Sequence, residues 1–337
     1  MSEVAVAARG RIAIRGRVAA EVPSAAVRPD TRRALQLGLA AVWLLDGVLQ
    51  YQPFMFTKAF GQALAATAAG NPAVIARPIS WDATLVEHHL VLLNTTFATI
   101  QLLLGFGIAF RPTVRLALAA SVAWSLSVWW FGEGLGGVLN GSADPVSGAP
   151  GAVILYALLA VLLWPADRRA GRAPFIAARA VGAHVARALW LVLWLSFAYF
   201  ALLPANRAPQ AISGMIARMN SGQPGWLAAI LRGAGSLVAG QGLATSIVLA
   251  VACVLVAVGV YLPRRAAAAA LVLAIVIAVV VWVAAQALGG ILASGATDPN
   301  SGPPLVLLAL AYWPARTVRT KPAAQPSASA VAEGNPV

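Results

Sequence analysis

The stretch LGGVLNGSADPVSGAP, residues 135–150, returns with small changes as LGGILASGATDPNSGPP at residues 288–304. The similarity extends beyond these stretches, because RALQLGLAAVWLL from Arg33 matches RALWLVLWLSFAY from Arg187. Matched positions stay about 152 to 154 residues apart along the chain. A constant spacing of this kind is typical of a tandem duplication. The sequence therefore predicts two copies of one structural unit.

The composition indicates that this unit lies in a membrane. Of the 337 residues, 60% are hydrophobic and only 10% are charged, against roughly 25% charged in soluble domains. Apolar runs recur at the length of about 20 residues that a helix needs to cross a bilayer. We predict an all-α polytopic membrane protein with eight transmembrane helices in two parallel four-helix repeats. The predicted spans are residues 34–54, 88–110, 114–131, 151–164, 185–203, 242–262, 266–288 and 304–313.

Four segments follow from these spans. Residues 1–33 are interpreted as a basic, disordered cytoplasmic arm, since they lack the apolar segment and cleavage site of a secretory signal. The first repeat covers 34–172 and the second covers 185–319, and 320–337 form a disordered cytoplasmic tail. The fourth and eighth spans are short, so we expect them to be extended by flanking residues or to lie tilted inside the bundle.

Basic residues indicate the orientation of the chain. The net charge is +13, and 19 of the 24 Lys and Arg residues fall on one side of the predicted spans. The positive-inside rule then predicts a multi-pass protein of the cytoplasmic (inner) membrane, with both termini in the cytoplasm and both Asp-Pro loops outside. The lipid bilayer is the expected partner, together with a periplasmic or membrane protein, and nucleic acid is not expected. The single cysteine, Cys253, excludes an intrachain disulfide and a cysteine-based metal cluster.

The repeated loops have a structural interpretation and a functional one. Asp144 and Asp298 each precede a proline, so each carboxylate is predicted to cap the following turn. Ser147 and Ser301 then lead into the next span, and the Gly-Gly pair that opens each loop is predicted to allow close helix approach. A rigid turn is the favoured interpretation, and a symmetric pair of ligand-binding loops is the alternative.

The second unit also predicts a short helix between its first two spans. Ile212, Met215, Ile216 and Met219 follow the i, i+3, i+4, i+7 pattern of an amphipathic helix. We expect it on the outer surface, with a stop near the GQP that ends at Pro224. The corresponding segment of the first unit ends at Pro72.

Ionisable side chains near the spans belong almost entirely to the first unit, whereas the second is nearly neutral. Because Glu87, Asn94 and Gln101 are spaced by seven, they are predicted to form one polar stripe that faces the bundle interior. We therefore expect a polar pocket that opens outward in the first unit. The candidate catalytic residues are Asp46, Glu87 and Glu133. The candidate substrate- or quinone-binding residues are His88, His89, Asn94, Gln101, Trp129 and Trp130.

Each of these residues also has a simpler interpretation. His88 and His89 suit the headgroup boundary, and we predict no metal site, although a histidine with Asp46 or Glu133 is the arrangement that would form one. Trp129 and Trp130 suit interfacial anchors, with stacking on a quinone or lipid ring as the alternative.

Two segments carry a resemblance to a known family. GLAAVWLLDGVLQ in the first span and QLLLGFGIAFRPTVRLAL at residues 101–118 resemble the DoxX/DoxD-like family of small four-helix bacterial membrane proteins. Where that family commonly has an acidic residue in the second helix, this chain has Gln101. The resemblance implies a quinone-linked redox membrane subunit, such as those of thiosulfate:quinone oxidoreductases, or an accessory protein. The sequence itself identifies no cofactor, and a quinone is the candidate that the resemblance suggests.

The sequence favours a redox-associated membrane subunit, and a transporter and a structural protein stay open as alternatives. A redox-associated subunit would use Asp46 or Glu133 to handle protons near a quinone headgroup. A small-molecule transporter is favoured by internal repeats and buried carboxylates. A structural or assembly protein needs only helix packing. No P-loop or dinucleotide fingerprint occurs, so no motif indicates nucleotide binding.

Overall fold

The structure, a computed structural model, describes residues 30–166 and 173–315. We refer to these two ranges as the first half and the second half. Within them the chain is helical and contains no strand, as predicted. The first half contains α1 (Thr31–Leu49), α2 (Lys58–Ala66), α3 (Ala73–His88), α4 (Leu90–Ala109), α5 (Val114–Phe131) and α6 (Ala152–Leu162). The second half contains α7 (Ala177–Val181), α8 (Ala183–Ala201), α9 (Ala211–Met219), α10 (Gly225–Val238), α11 (Gly242–Gly259), α12 (Arg264–Ala284) and α13 (Gly302–Ala311).

Several of these helices have the length and apolar composition needed to cross a bilayer. In the described residues five such segments occur, namely α4, α8, α11, α12 and Arg111–Phe131, which contains α5. They indicate a multi-pass membrane protein. Of the other expected spans, α1 has 19 residues, α6 has 11 and α13 has 10.

The boundary between the expected N-terminal arm and the first helix differs from the prediction. Helix α1 begins at Thr31, so the last residues of the expected N-terminal arm are helical. Residues 1–29 of that arm, residues 167–172 and the whole expected tail at 320–337 lie outside the described residues. The first expected span, 34–54, is also too long, because α1 ends at Leu49 and Pro53–Phe56 form a separate 3-10 turn.

The short helices α6 and α13 lie at the centre of the bundle. They contact each other, and both contact α1. Tyr156 in α6 and Leu308 in α13 are fully buried within one core that continues through both halves. The side chain of Leu307 fills the space where a Cβ on Gly38 of α1 would stand, so the two backbones approach closely. A short helix that is covered by longer neighbours exposes little of its backbone. Helices of 11 and 10 residues can therefore lie in the interior of the bundle.

Each half also carries two helices between its first and second long apolar helices. The predicted short helix in the second half is confirmed as α9, whose Ile212 and Ile216 are buried. Helices α3 and α10 were not expected. Each begins directly after the proline that was predicted to mark a stop, Pro72 or Pro224. A proline tolerates a position before the first helical turn because the amide groups there have no intrahelical acceptor.

The two Asp-Pro loops begin with the same unusual backbone. Leu135 has φ 57° and ψ 29°, and Leu288 has φ 57° and ψ 31°, both in the left-handed region that costs a non-glycine residue about 1 kcal/mol. The glycines that follow were predicted to allow helix approach, and this is wrong. A Cβ on Gly136 would stand 2.0 Å from the Pro150 carbonyl oxygen, and one on Gly289 would stand 2.4 Å from the Pro299 carbonyl carbon. The glycines therefore let each loop fold back on itself.

The first Asp-Pro loop, residues 132–151, reaches into the second half. Asn206, which follows α8, donates a hydrogen bond from Nδ2 to the Ala143 carbonyl at 2.8 Å. Gln286, which follows α12, donates from Nε2 to the Val146 carbonyl at 3.3 Å. Val146 is buried in an apolar cluster with Ile212 and other residues of α9 and α10.

The second Asp-Pro loop, residues 285–301, reaches into the first half in the same manner. Gln52, which follows α1, donates from Nε2 to the Ala296 carbonyl at 3.1 Å and accepts the Gly295 amide at 2.9 Å. The Phe54 ring lies against Gly295. The loops also contact each other, because Asn300 donates from Nδ2 to the Ser147 carbonyl at 3.1 Å. The halves are therefore joined by an exchange of loops as well as by the central helices.

The close approach at Gly136 predicts a strong effect of a single methyl group. We expect Gly136→Ala to lower the free energy of unfolding by about 3 kcal/mol or more, because it combines a left-handed φ with a backbone clash. Thermal unfolding in detergent is the measurement. Gly141→Ala is the matched control: φ is 75° and nothing lies within 4 Å of its Cβ, so only the φ cost of about 1 kcal/mol applies. Equal losses in the two variants would contradict this role of Gly136.

Candidate functional site

A cavity of about 190 Å³ lies in the first half, beside the second Asp-Pro loop. Its walls combine carboxylates, amides and aromatic rings. The lining residues are Asp46, Gln50, Phe60, Leu64, Asp82, Phe97, Gln101, Trp124, Ser127, Val128, Phe131, Gly132, Glu133, Val153, Thr297 and Asp298. Two of them, Thr297 and Asp298, come from the second half. The loop exchange therefore completes this cavity.

Helical periodicity brings the walls together. Trp124, Ser127, Val128 and Phe131 share one face of α5 at the i, i+3, i+4, i+7 spacing. Residues four apart supply the other helical walls, Phe97 with Gln101 on α4 and Phe60 with Leu64 on α2. Phe97 also packs on Trp124, with 5.8 Å between ring centroids.

Asp46 is the most deeply buried acid of the cavity. It lies on the last turn of α1 and is 1% exposed. The hydroxyl of Tyr156 in α6 lies beside its carboxylate, and the Oδ1 atom has no hydrogen-bond partner. A buried carboxylate oxygen without a donor is costly, about 1–3 kcal/mol for an ordinary polar group and more for a charged one.

Two side-chain amides near Asp46 also have a buried oxygen that accepts no hydrogen bond from the described residues. Gln50 and Gln101 are each 5% exposed, and the Oε1 atom of each is buried without a partner. Together with Asp46 they give the cavity three buried oxygens that accept no hydrogen bond from the described residues. The Tyr156 hydroxyl lies beside the Asp46 carboxylate but makes no regular hydrogen bond within this part of the chain. Native structures leave few such atoms, so a group of three on one cavity requires an explanation.

Glu133 follows α5 and faces the start of α6. Its Oε1 accepts hydrogen bonds from the backbone amides of Ala152 and Val153, at 3.1 and 3.4 Å. These amides belong to the first turn of α6 and have no acceptor within the helix. Its Oε2 has no partner. Burial, with a smaller contribution from the charge of Asp298, raises the pKa of Glu133 to about 8 against the opposing effect of the two amides. This carboxyl group therefore carries a proton over much of the neutral range.

Asp298 and Asp144 confirm the predicted capping of the turn. The Oδ1 of Asp298 accepts the Asn300 amide at 2.7 Å, and that of Asp144 accepts the Val146 amide at 2.8 Å. Burial raises the pKa of Asp298 and raises that of Asp144 to about 6. Their surroundings differ, because Asp298 lines the acidic cavity whereas Asp144 is influenced by the positive charge of Arg218.

The serines of the two loops have structural contacts. The Ser147 hydroxyl donates to the Asp144 carbonyl at 2.9 Å. The Ser301 hydroxyl accepts from Gln286 Nε2 at 2.9 Å and is buried. Neither serine lines the cavity. These contacts agree with the interpretation of the loops as rigid turns. Asp298 also lines the cavity, which that interpretation did not predict.

The predicted polar stripe is wrong in one member. Glu87 belongs to α3, which ends at His88, and α4 begins only at Leu90. The break at His89, with φ −130° and ψ 38°, removes Glu87 from the face that carries Asn94 and Gln101. Glu87 instead packs on Gly61 of α2, away from the cavity lining.

The other candidates separate into cavity and non-cavity residues. Asp46, Glu133 and Gln101 line the cavity. Asn94 is fully buried and donates from Nδ2 to the Gln50 carbonyl at 2.6 Å, so it supports the cavity from behind. His88 and His89 are exposed and line no part of it.

The tryptophan pair also lies outside the cavity. Trp129 donates from Nε1 to the Pro150 carbonyl at 2.5 Å, which ties the first Asp-Pro loop to α5. Trp130 stacks on Phe131 at 5.8 Å between ring centroids and is 37% exposed. The tryptophan that does line the cavity is Trp124, whose Nε1 has no hydrogen-bond partner among the described residues.

Among the cavity residues that the sequence analysis missed or misplaced, Gln50, Asp82, Trp124 and Asp298 matter most for its chemistry. Gln50 and Trp124 follow detectable signals, since Gln50 is four residues after Asp46 and Trp124 begins a regular face of α5. Asp82 lies on α3, a helix that was not expected, and burial raises its pKa. Asp298 was recognised as a turn residue, but no sequence signal indicates that it enters the opposite half.

The second half holds a smaller cavity of about 20 Å³. It is lined by Pro145, Trp194, Phe197, Leu249, Cys253, Ile277, Ala278, Val281, Ser301 and Leu305. None of these residues carries a charge. In the repeat alignment Cys253 stands where the first half has Gln101, and Gln286 where it has Glu133. The titratable site thus belongs to the first half.

The chemical capacity of the larger cavity follows from this inventory. It can accept hydrogen bonds, hold or release protons on carboxyl groups, and cover an apolar or aromatic group with ring faces. Across residues 30–166 and 173–315, no three His, Cys, Asp or Glu side chains are grouped to hold a metal ion. A histidine pair with Asp46 or Glu133 does not form, because His88 and His89 lie elsewhere.

The raised pKa of Glu133 predicts a pH dependence of stability. Its ordinary value is 4.5 and its value in the folded chain is about 8, so the folded state binds the proton more tightly. The stabilisation from this group is complete below pH 4.5 and is lost as the pH rises through 8. We expect the thermal midpoint in detergent to fall over this range, and Glu133→Gln, which keeps the acceptor for α6, to reduce the slope.

Glu87→Gln is the control for this measurement, because it removes an acid of the same half that lies outside the cavity. We expect its slope to match that of the wild type. An unchanged slope in Glu133→Gln would show that Glu133 does not carry the proton. Residual slope in that variant is assigned to Asp82, Asp144 and Asp298, because burial also raises the pKa of each of these carboxyl groups.

No protein-family model, curated protein or solved structure matches the chain. The geometry and chemistry of the cavity therefore carry the functional argument.

Proposed function

We propose that the chain is an eight-span protein of the cytoplasmic membrane, built from two parallel four-helix repeats with both termini in the cytoplasm. The spans are α1, α4, α5 and α6, followed by α8, α11, α12 and α13. Three observations support this arrangement: the matched segments at constant spacing, the equal backbone angles at Leu135 and Leu288, and the one-sided distribution of Lys and Arg. The cavity then lies near the outer face.

Within that frame, we propose that the protein binds a small molecule in the cavity and exchanges protons with it. The observation that carries this proposal is the set of three buried, unpartnered acceptor oxygens on Asp46, Gln50 and Gln101. A protein that serves only helix packing gains nothing from such atoms, since unmet buried acceptors destabilise the fold. A bound ligand that donates hydrogen bonds would satisfy them.

Proton exchange is supported by the carboxyl groups around these acceptors. Glu133, with a pKa of about 8, gains or loses its proton near neutral pH, and Asp298 affects it through its charge. A ligand that brings positive charge or hydrogen-bond donors favours the ionised carboxylate, so binding would release protons. Proton release on ligand binding is useful both to a transporter and to a redox subunit.

A quinone-linked redox role is the second candidate, and one observation favours it. The Trp124 indole on the cavity wall has an unpartnered N–H that could donate to a quinone carbonyl. The DoxX-like resemblance of residues 38–50 and 101–118 agrees with this role. Most of the unpartnered polar atoms in the cavity are acceptors. This favours ligands other than an oxidised quinone, because its headgroup itself offers only acceptors.

Ligand binding is tested by the thermal midpoint of the detergent-purified full chain in the presence of four probes. The probes are benzylammonium, benzyl alcohol, benzoate and a short-chain benzoquinone. We expect at least one of them to raise the midpoint of the wild type. The same probe is expected to have no effect on Ser127→Trp, whose indole would occupy the cavity that Ser127 lines.

Leu126→Trp is the matched control, because Leu126 is the neighbouring exposed residue of α5 and does not line the cavity. It should respond to the probe as the wild type does. A midpoint that none of the probes shifts, or one that shifts equally in Ser127→Trp, would overturn the proposed binding function.

A further inference from the structure

The charge of the cavity selects among ligands. Its lining contains four acidic residues, Asp46, Asp82, Glu133 and Asp298, and they come from α1, α3, the end of α5 and the second Asp-Pro loop. Tyr156 of α6 lies beside Asp46. Among the described residues that line the cavity there is no Lys, Arg or His. An anionic ligand would find no positively charged side chain among these lining residues.

The unpartnered oxygens of the cavity restrict the kinds of ligand that can bind there. Among the residues that the structure describes, no donor reaches the buried oxygens Oδ1 of Asp46 and Oε1 of Gln50 and Gln101. Asp46 is 99% buried and the two glutamines are 95% buried, so bulk water does not compete freely for these atoms. A complementary ligand therefore carries N–H or O–H groups.

The aromatic walls give the ligand its remaining character. Phe60, Phe97, Phe131 and Trp124 surround the acids, and ring faces attract a cation that has lost part of its hydration shell. A bare metal ion makes poor use of a space of about 190 Å³ with such walls, and the described carboxylates are not grouped as metal ligands. An organic group that bears a positive charge fits both the acids and the rings.

We propose that the cavity binds an organic ammonium ion, an inference that rests on the proposed small-molecule function. The ammonium N–H groups donate to the Asp46 carboxylate and to the amide oxygens of Gln50 and Gln101, while the organic part lies against the rings. When the ligand enters, the carboxyl group of Glu133 gives its proton to water and remains as a carboxylate. One positive charge is thereby exchanged for another, and the low-polarity site keeps its net charge.

Isothermal titration of the detergent-purified full chain with three probes of similar shape tests this inference. Benzylammonium carries the positive charge, benzyl alcohol is neutral and benzoate is negative. We expect benzylammonium to bind at least about tenfold more tightly than benzyl alcohol, and benzoate not to bind. We also expect benzylammonium binding to release protons into a weakly buffered solution near pH 7.

Variants assign the binding to the cavity. Asp46→Asn keeps the shape and removes the charge, and Gln101→Leu removes one acceptor; each should weaken benzylammonium binding by about tenfold or more. The matched control is Cys253→Ala, at the position of the second half that corresponds to Gln101, which should bind like the wild type. The comparison of probes on the wild type needs no variant, so a variant that fails to fold leaves the test intact.

The outcomes separate the two proposals. If benzyl alcohol or benzoate binds as tightly as benzylammonium in a manner blocked by Ser127→Trp, the ligand site stands and the ammonium inference fails. If Cys253→Ala loses binding as fully as Gln101→Leu, the assignment to this cavity fails. If no probe binds the wild type, both the inference and the proposed function fail.

Discussion

The exchange of loops between the halves is the constraint on which the candidate site depends. Gln52 holds the second Asp-Pro loop by two hydrogen bonds at Ala296 and Gly295, and Asn206 holds the first loop at Ala143. Without that exchange Asp298 would not enter the first half, and the cavity would lose one wall and one of its acids. The tight turns at Gly136 and Gly289 make the exchange feasible, because they let each loop fold back before it crosses.

The exchange joins two halves that differ in their chemistry. The first half contributes Asp46 and Glu133 to a cavity of about 190 Å³, whereas the smaller space of the second half has Cys253 and apolar side chains. Asp144 and Asp298 make the same turn, yet only Asp298 lies among other acids. Two halves with similar loops can in this way both be packed tightly while the titratable groups are concentrated in one of them. The central contact of α6 with α13 supplies apolar burial that is independent of those groups.

Much of the helical framework was predictable from local sequence, and the composition of the site was predictable only in part. Apolar length identified the long helices, and the i, i+3, i+4, i+7 pattern identified α9, which the structure confirms. Helix α3 was missed because Pro78 and several polar residues interrupt its apolar pattern, and this displaced Glu87 from the predicted stripe. Asp46, Gln101 and Glu133 were recognised because charged and amide groups are rare in such segments. The position of Asp298 depends on a contact between distant halves, for which the sequence holds no local signal.

The crossed arrangement of the loops is tested most directly by thiol cross-linking in a Cys253→Ala background. One variant carries Phe54→Cys with Ala296→Cys, and the other carries Phe54→Cys with Ala143→Cys, so that Gln52 keeps its two hydrogen bonds to the second loop. Because the Phe54 ring lies against Gly295, the neighbour of Ala296, a short thiol-specific cross-linker reports which loop lies beside residue 54. Mass spectrometry should show the intrachain 54–296 cross-link and no 54–143 cross-link. Efficient formation of the 54–143 cross-link, with none between 54 and 296, would mean that each loop closes its own half and would contradict the account.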